Sequence, residues 1–407
     1  MEEKNNRNLF RAMCILASAV AMLPVGCNYI MAGGIITEWI GRVEEIAMGF
    51  EFGHFFLFPS NEILVNMGVT QNVLNSNMWF ILSGAFYKMS GNMVLTYRIF
   101  MVLLQIGTAW SVWMLMTDIF GKDAKLPILF GVLLYMTCPY RLYVCYDIAN
   151  LSQAVVWMLL PLYIRYVYRI LRGKKGLGEM ALGAIVLSGI CYADVVLWSI
   201  ITGITLLFAL IKRNVKMCIS LVFSVIVGTP VLYRLVQCLF MNSFAELQIP
   251  LQSIMSEGYR LGEFFTAYAW REERPGMGLG LLLCLAVGIW LHFVEGEKEQ
   301  RTINKVFVLL AVGLAIMSTC YFPWDIVQRI GTWALQFISI MDTPALFAGL
   351  AYCSLIIPAA GYVDRISRHS NQVIAVMMPI VILLFCIGGC VYQCNTLTYE
   401  RLPITFI

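Results

Sequence analysis

The chain has 407 residues, of which 60% are hydrophobic and 13% are charged, and its formal net charge is +4 at pH 7. Soluble domains contain roughly 45–50% apolar and about 25% charged residues, so this composition excludes a soluble globular protein and predicts an integral membrane protein. The sequence predicts no nucleic-acid partner, because its basic residues form only short clusters and no stripe.

Basic clusters predict which ends of the apolar runs face the cytoplasm. The first run, 12–31, follows Arg7 and Arg11 and is too long for the core of a signal peptide, so we expect a retained helix with a cytoplasmic N-terminus. Two further clusters, within 165–175 and 212–216, are expected on the same side. An even number of crossings must therefore separate each pair of clusters.

Five apolar segments lie between the first two clusters, so one of them cannot cross the membrane. The weakest is 73–89, which is short and begins with several polar residues. We expect it to form a juxtamembrane or re-entrant element on the outer side. The other four segments are predicted to cross: 12–31, 95–119, 125–139 and 149–170.

The interval 179–211 is flanked by basic residues at both ends but has only 33 residues. Two crossings of about 16 residues each reach roughly 24 Å, which is less than a hydrocarbon core of about 30 Å. We therefore expect a short hairpin that turns near 191–194, below the outer surface. The alternative is one long tilted helix, which would place Lys212 outside.

The remaining runs complete an all-α, polytopic protein of the cell membrane with about eleven transmembrane helices and its C-terminus outside. We expect a single transmembrane domain, 1–407, without a separate soluble domain. The last five crossings are 217–239, 276–293, 303–320, 343–361 and 372–391. The predicted outer loops are 32–94, 140–148, 240–275 and 321–342.

The first outer loop predicts an amphipathic helix at the membrane interface. Glu38, Arg42 and Glu45 share one helical face by their i, i+4, i+7 spacing, whereas apolar side chains such as Trp39 form another. Glu44 adds a further carboxylate to this loop. The alternative is a solvated face whose local ion pairs contribute a few tenths of a kcal/mol each.

Arg141 and Asp147 lie in the second outer stretch, between two apolar runs. Arg141 could anchor the helix at the interface by extending its side chain towards the headgroups. Asp147 stands at the head of an apolar run, where it could cap a helix or belong to a functional site.

Asp194 falls at the turn of the predicted hairpin, within the outer leaflet. A carboxylate inside a membrane costs about 2.5–3.5 kcal/mol on insertion scales and usually marks a pathway or a site. The competing interpretation is a structural pair with Arg234 or Arg98.

Trp324 and Arg329 lie in the last outer loop, 321–342. An arginine on this side could hold a phosphate through bidentate contacts, which lysine makes less well. The sequence has no Walker-type loop, dinucleotide-binding fingerprint, zinc-ligand pair or nucleophile elbow.

Three short passages follow one another along the chain: PYRL at 139–142 with Asp147 after it, LLPL at 159–162, and FPW at 322–324 with LQF at 335–337. In these passages the chain resembles the YfhO-like bacterial membrane proteins, which are similar to the GT-C glycosyltransferases. The resemblance implies a GT-C-like fold with outer-face juxtamembrane helices. It also implies a polyprenyl-phosphate sugar donor, a glycan acceptor and an inverting transfer in which a carboxylate is the base or a metal ligand.

The family pattern has an acid and a histidine ahead of the first amphipathic helix. Alignment on Arg42 puts Ile35 and Trp39 at these two positions, so Glu38 or Glu44 would have to substitute.

Our first hypothesis is a GT-C-like glycosyltransferase, or an inactive relative, in the assembly of cell-surface glycans. The carboxylates would hold the acceptor hydroxyl or a divalent cation such as Mg or Mn, since oxygen ligands favour these ions. The second hypothesis is a non-catalytic transporter, flippase or assembly factor for cell-surface polymers. The expected catalytic residues are Asp147, Asp194, Glu38 and Glu44, and the expected substrate-binding residues are Arg42, Arg141, Arg329 and Trp324.

Overall fold

The structure is a computed structural model. It describes residues 15–16, 18–27, 29–30, 34–52, 76–173, 176–240, 258–265, 275–291, 298–331, 334, 338, 341, 343–369 and 372–400. Parts of the predicted first span 12–31 and of the predicted outer loop 32–94, and most of the predicted outer loop 240–275, lie outside these residues.

The described part of the chain is helical and contains no strand, only an isolated bridge between Tyr259 and Thr319. Twelve described helices have ten or more residues. In chain order they are α1 (Ile36–Phe52), α2 (Ile81–Ser90), α3 (Met93–Phe120), α4 (Lys125–Met136), α5 (Leu151–Leu171), α6 (Leu177–Ala193), α7 (Val195–Ile211), α8 (Val215–Phe240), α9 (Leu279–Leu291), α10 (Lys298–Ser318), α11 (Ala345–His369) and α12 (Gln372–Glu400).

Five described helical stretches are long and apolar enough to cross a membrane. They are Met93–Phe120, Leu151–Leu171, Val215–Val236, Ala345–Ile366 and Val376–Thr398. The pair Lys125–Met136 and Pro139–Asp147 is bent by 43° at the PYRL passage, as in a broken span or a re-entrant loop, and is a sixth candidate crossing. Three further apolar helices are shorter, and two of them are α6 and α7. The all-α, multi-pass prediction is confirmed, while the number eleven stays a prediction.

The chain divides into two compact units. Unit 1 comprises 1–27, 112–147 and 251–402, and unit 2 comprises 28–111, 148–250 and 403–407. The expectation of a single transmembrane domain stays a prediction.

In unit 2, α5 to α8 form a bundle in which each helix is antiparallel to the one before it. Ile170 near the end of α5, Met180 near the start of α6, Ala209 near the end of α7 and Met217 near the start of α8 form one buried cluster. This cluster can form only if α6 and α7 fold back on each other. The predicted hairpin is therefore present, with its break at Asp194, and the single long helix is wrong.

The two basic turns of unit 2 consequently lie at the same end of the bundle. Arg172 follows α5 and Lys212 follows α7, and both helices end at the buried cluster that contains Ile170 and Ala209. Asp194 lies at the other end, beside Gln153 in the first turn of α5. The basic turns and the Asp194 carboxylate thus lie at opposite ends of the bundle.

Also in unit 2, α1 packs closely against α2. A Cβ atom at Gly84 would overlap the side chain of Ile46, so only glycine permits this approach. Both faces of α1 are buried: the apolar face with Trp39 and the charged face with Arg42. The alternative of a solvated polar face is therefore wrong, because the face with Glu38, Arg42 and Glu45 is buried. The position of α1 at the membrane interface stays a prediction.

In unit 1, α11 is the central helix. It is buried along most of its length and packs against α4, α9, α10 and α12. The bend after α4 places Pro139 against α12, where the Gln393 Nε2 donates to the Pro139 carbonyl oxygen at 3.1 Å. This contact fixes the PYRL passage within unit 1.

Candidate active site

The charged face of α1 is the largest concentration of buried charge in the described part of unit 2. Glu38 and Arg42 form an ion pair one helical turn apart, as their spacing predicts. The Arg42 side chain is 0% exposed, and Glu45, another turn along, is 3% exposed. Moving an arginine and two carboxylates out of water costs several kcal/mol per ion, and pairing them returns only part of that cost.

Burial changes the acid–base properties of this cluster. It raises the pKa of Glu38 from 4.5 to about 6, against the opposing effect of the adjacent Arg42 guanidinium. Burial likewise lowers the pKa of Arg42, while the charges of Glu38 and Glu45 act in the opposite direction. Both shifts have the same cause, since a dry environment disfavours either charged form. Glu38 therefore titrates closer to neutral pH than an ordinary glutamate.

Aromatic rings enclose the ion pair. The Arg42 guanidinium lies 5.9 Å from the centre of the Phe80 ring, which is within the range of a cation–π interaction. Phe80 meets Phe100 edge to face at 5.6 Å, and Trp39 contacts both Tyr97 and Phe100 at 5.7 and 5.8 Å. The cluster thus combines charged groups with apolar ring surface.

The segment before α2 joins this cluster to the hairpin. The Ser76 backbone amide donates to the Tyr192 carbonyl oxygen at 3.2 Å, and the Trp79 Nε1 donates to the Gly189 carbonyl oxygen at 2.9 Å. Between them lies Asn77, whose side chain is fully buried. We did not predict a role for Asn77, although a polar Asn-Ser-Asn run ahead of Trp79 was a signal that could have indicated one.

Asp194 caps α7. Its carboxylate accepts a hydrogen bond from the Leu197 backbone amide at 2.9 Å and another from the Gln153 side chain. Neither Arg234 nor Arg98 is among the described partners of Asp194, so the proposed arginine pair is not found. The residue is buried at the end of the bundle where Ser76 and Tyr192 meet.

Glu44 lies on a different side of α1 from Glu38. It is half-buried, whereas Glu38 and Glu45 are buried. Partial burial raises the pKa of Glu44. The structure therefore pairs Glu38 with Arg42 and leaves Glu44 towards the exposed side of the helix.

Arg141 and Asp147 belong to unit 1. The buried Arg141 side chain donates from Nε to the Tyr135 carbonyl oxygen at 3.3 Å, near the end of α4, so it is not an interface anchor that extends to the headgroups. Asp147 ends a π-helical turn, 143–147, and is half-buried. Asp147 is not the cap of α5, because the Asn150 side chain accepts from the Gln153 backbone amide at 3.1 Å.

Trp324 and Arg329 also belong to unit 1, at the two ends of a short helix, Trp324–Gln328. Trp324 is buried, stacks on Phe347 at 5.4 Å and donates from Nε1 to the Met317 carbonyl oxygen at 2.8 Å. These contacts are those of a core residue. Arg329 is exposed and accessible to a ligand.

The described carboxylates are candidate ligands for a divalent cation. Within the described residues, no three His, Cys, Asp or Glu side chains come close enough together to hold a metal ion. Glu38 is bonded to Arg42 and Asp194 to a backbone amide, so neither offers a free pair of oxygens. The described carboxylates thus do not fit a Mg or Mn site.

No family model matches the chain, and no curated protein matches it. Two crystal structures of the oligosaccharyltransferase of Archaeoglobus fulgidus are similar in fold. The apo form has a TM-score of 0.55 at 11% identity, over 97% of this chain and 56% of that chain. The form tethered by a disulfide bond to an acceptor peptide with the NVT sequon has a TM-score of 0.51 at 12% identity, over 98% and 56%.

The chain has a GT-C-like fold. At such low identity the likeness concerns the fold alone. The chain spans little more than half the length of the oligosaccharyltransferase that it matches.

Proposed function

We propose that this protein is a GT-C-type membrane glycosyltransferase, or an inactive relative of one. It would use a polyprenyl-phosphate-linked sugar donor and a glycan acceptor on the outer face of a bacterial cell membrane, in the assembly of cell-surface polymers. The proposal includes membership of the YfhO-like family, a cytoplasmic N-terminus and an outer C-terminus. The observation that carries it is the GT-C-like fold, which extends over 97% of the chain.

The buried polar cluster of unit 2 supports a working site and not only a scaffold. A membrane bundle gains little stability from burying Glu38, Arg42 and Glu45 together, because desolvation offsets their attraction. The segment 76–80 joins this cluster to the hairpin end of the bundle, opposite the basic turns. If those turns are cytoplasmic, the cluster lies on the outer side, where a lipid-linked donor would be used.

In the proposed reaction, the acceptor hydroxyl oxygen attacks the anomeric carbon of the donor as its proton passes to a carboxylate. The bond between that carbon and the phosphate oxygen breaks, and the phosphate leaves with the electron pair. Glu38 is suited to take the proton, because an acid with a pKa of about 6 is ionised at pH 7 and still basic enough to accept one. Asp147, Asp194 and Glu44 are the other candidates, with Asp194 limited by its capping bond.

The leaving phosphate needs positive charge. We propose three alternative donors, Arg42 in unit 2 and Arg141 and Arg329 in unit 1, because a guanidinium group binds phosphate oxygens in pairs. Arg329 is the accessible member, whereas Arg42 and Arg141 are buried. Trp324 would hold the short helix Trp324–Gln328, which Arg329 follows, in place through its packing on Phe347.

A second function, that of a non-catalytic transporter, flippase or assembly factor, is favoured by one observation. The positions of the family's acid and histidine hold Ile35 and Trp39, and Glu38 is bonded to Arg42. A protein that only binds a lipid-linked glycan needs no free carboxylate. Measurement of sugar transfer by the wild type separates the catalytic function from the non-catalytic one.

The experiment uses the full chain in nanodiscs with a panel of polyprenyl-phosphate monosaccharides and measures sugar transfer or donor hydrolysis by mass spectrometry. Asp147→Asn should abolish turnover if Asp147 accepts the proton, and Glu38→Gln should abolish it if Glu38 does, because an amide cannot accept a proton. Expression should stay normal in Asp147→Asn. Asp123→Asn, in an exposed loop of the same unit, is the matched control and should keep full turnover. Turnover that survives in Asp147→Asn would remove Asp147 from the mechanism, and no turnover in the wild type would favour the non-catalytic function.

A further inference from the structure

Asn77 is an anomaly in the described part of unit 2. Its side chain is 0% exposed, and neither its amide nitrogen nor its amide oxygen has a hydrogen-bond partner among the described residues. Leaving such a group buried and unpaired costs roughly 1–3 kcal/mol, so nearly all buried amides in proteins have partners. An apolar side chain at this position would avoid this cost.

Trp39 shows the same anomaly on α1. It is 3% exposed, and its indole Nε1 has no hydrogen-bond partner among the described residues. Two other tryptophans donate their indole N–H within the protein: Trp79 to the Gly189 carbonyl oxygen and Trp324 to the Met317 carbonyl oxygen. Trp39 differs from these two tryptophans in this respect.

The two anomalies occur around the same aromatic group. Asn77 lies three residues before Phe80, and its carbonyl oxygen accepts from the Phe80 backbone amide at 2.9 Å. Phe80 contacts Phe100, which in turn contacts Trp39. The Arg42 guanidinium lies over Phe80, and Glu38 is bonded to Arg42. Asn77 and Trp39 are thus both linked, through Phe80 and Phe100, to the residues of a buried ion pair.

This combination matches the chemistry of a sugar. A sugar hydroxyl both donates and accepts hydrogen bonds, and a carboxamide supplies both functions from one side chain. An indole N–H adds a donor, and ring faces suit the C–H side of a pyranose. A free phosphate would use the arginine but would leave the amide oxygen of Asn77 without a donor.

We propose that Asn77 and Trp39 bind hydroxyl groups of the donor monosaccharide and set the sugar specificity of this site. The inference rests on the proposed function and deepens it, since it names the part of the lipid-linked donor that this cluster recognises. The two side chains are binding residues and take no proton in the transfer.

The test measures binding to the full chain in nanodiscs. The probes are short-chain polyprenyl phosphates that carry glucose, mannose, galactose or N-acetylglucosamine, with the same polyprenyl phosphate without sugar as reference. We expect the wild type to bind at least one sugar-bearing probe about 10- to 100-fold more tightly than the reference, as expected for one or two hydrogen bonds. In Asn77→Leu and Trp39→Phe this difference should fall to about threefold or less.

Trp79→Phe is the matched control, because it removes an indole N–H that is already bonded within the protein. We expect Trp79→Phe to lower the thermal midpoint and to keep the sugar-dependent difference. Asn77→Leu removes an unpaired polar group, so any fall in its thermal midpoint reports the larger volume of leucine and not a lost hydrogen bond within the protein.

The remaining outcomes overturn the inference in distinguishable ways. A sugar-dependent difference that is unchanged in Asn77→Leu and Trp39→Phe would mean that these groups bind internal water only, and the proposed function would stand. A wild type that binds both kinds of probe equally would exclude sugar recognition at this cluster. A wild type that binds neither kind would remove the lipid-linked donor itself, and the inference with it.

Discussion

Arg42 is the residue on which the architecture of the candidate site depends. It is the largest fully buried side chain in the described part of the chain, and it contacts Glu38 and the Phe80 ring. A buried pair of this kind is weak evidence for stability, because apolar residues of the same volume are often as stable or more so. Stability alone therefore does not explain its presence on α1.

Removal of one partner of the Glu38–Arg42 pair should nevertheless destabilise the protein. We expect Arg42→Met to destabilise the protein by about 3–5 kcal/mol, because it leaves the Glu38 carboxylate buried without its partner. The measurement is the thermal midpoint in detergent by intrinsic fluorescence. Glu51→Gln is the control, since it breaks the exposed Lys88–Glu51 pair and should leave the midpoint unchanged. Equal effects of the two variants would contradict the buried position of Arg42.

Glu38 should give stability a dependence on pH. Its pKa is about 6 in the folded protein and 4.5 for an ordinary glutamate, so the folded state holds the proton more tightly. The resulting stabilisation is complete below about pH 4.5 and is lost as pH rises through about 6, a change of about 2 kcal/mol.

The measurement compares thermal midpoints of the wild type and Glu38→Gln from about pH 4.5 to 7. We expect the wild type to lose stability relative to Glu38→Gln as pH rises through this window. The thermal midpoint of the wild type relative to that of Glu38→Gln could instead stay constant or rise as pH increases. Either result would show that the Glu38 carboxyl is not held in a desolvated site.

At the scale of helices, the hairpin α6–α7 depends on Asp194 as the cap of α7. Asparagine and aspartate cap helices about equally well, whereas alanine costs about 1 kcal/mol. We therefore expect Asp194→Asn to keep the thermal midpoint and Asp194→Ala to lower it, because only the asparagine oxygen can still accept from the Leu197 amide.

Turnover of the same two variants decides whether the Asp194 carboxylate has a second role. Transfer that persists in Asp194→Asn would limit this residue to capping. Transfer lost in Asp194→Asn at a normal thermal midpoint would place its charge in the mechanism.

The helix α1 shows why periodicity is an incomplete guide to burial. The i, i+4 spacing of Glu38 and Arg42 predicted their pairing, and the structure contains it. The same spacing suggested a solvated polar face, whereas α2 and the segment before it cover that face. Covering surfaces come from elsewhere in the chain, so a helical pattern alone does not reveal them.

At the scale of the whole molecule, the charges of unit 2 are sorted between the two ends of its bundle. The basic turns after α5 and α7 share one end, and Asp194 with the segment 76–80 occupies the other. Parity of crossings predicted this arrangement, because antiparallel helices return every second turn to the same end. A hydrocarbon core strongly disfavours charges along its depth, so the ends are where they collect.

The sequence by itself determined the membrane class, most of the described spans and the hairpin, because hydropathy, length and loop charge act locally and need no partner. It also indicated the Glu38–Arg42 pair, which is set by helical geometry. Only the tertiary structure decided that Trp324 packs in a core, that Arg141 bonds a helix end, and that Asn77 and Trp39 are buried without partners around Phe80. Burial and hydrogen bonding are properties of segments that meet in space, and the order of residues along one segment does not contain them.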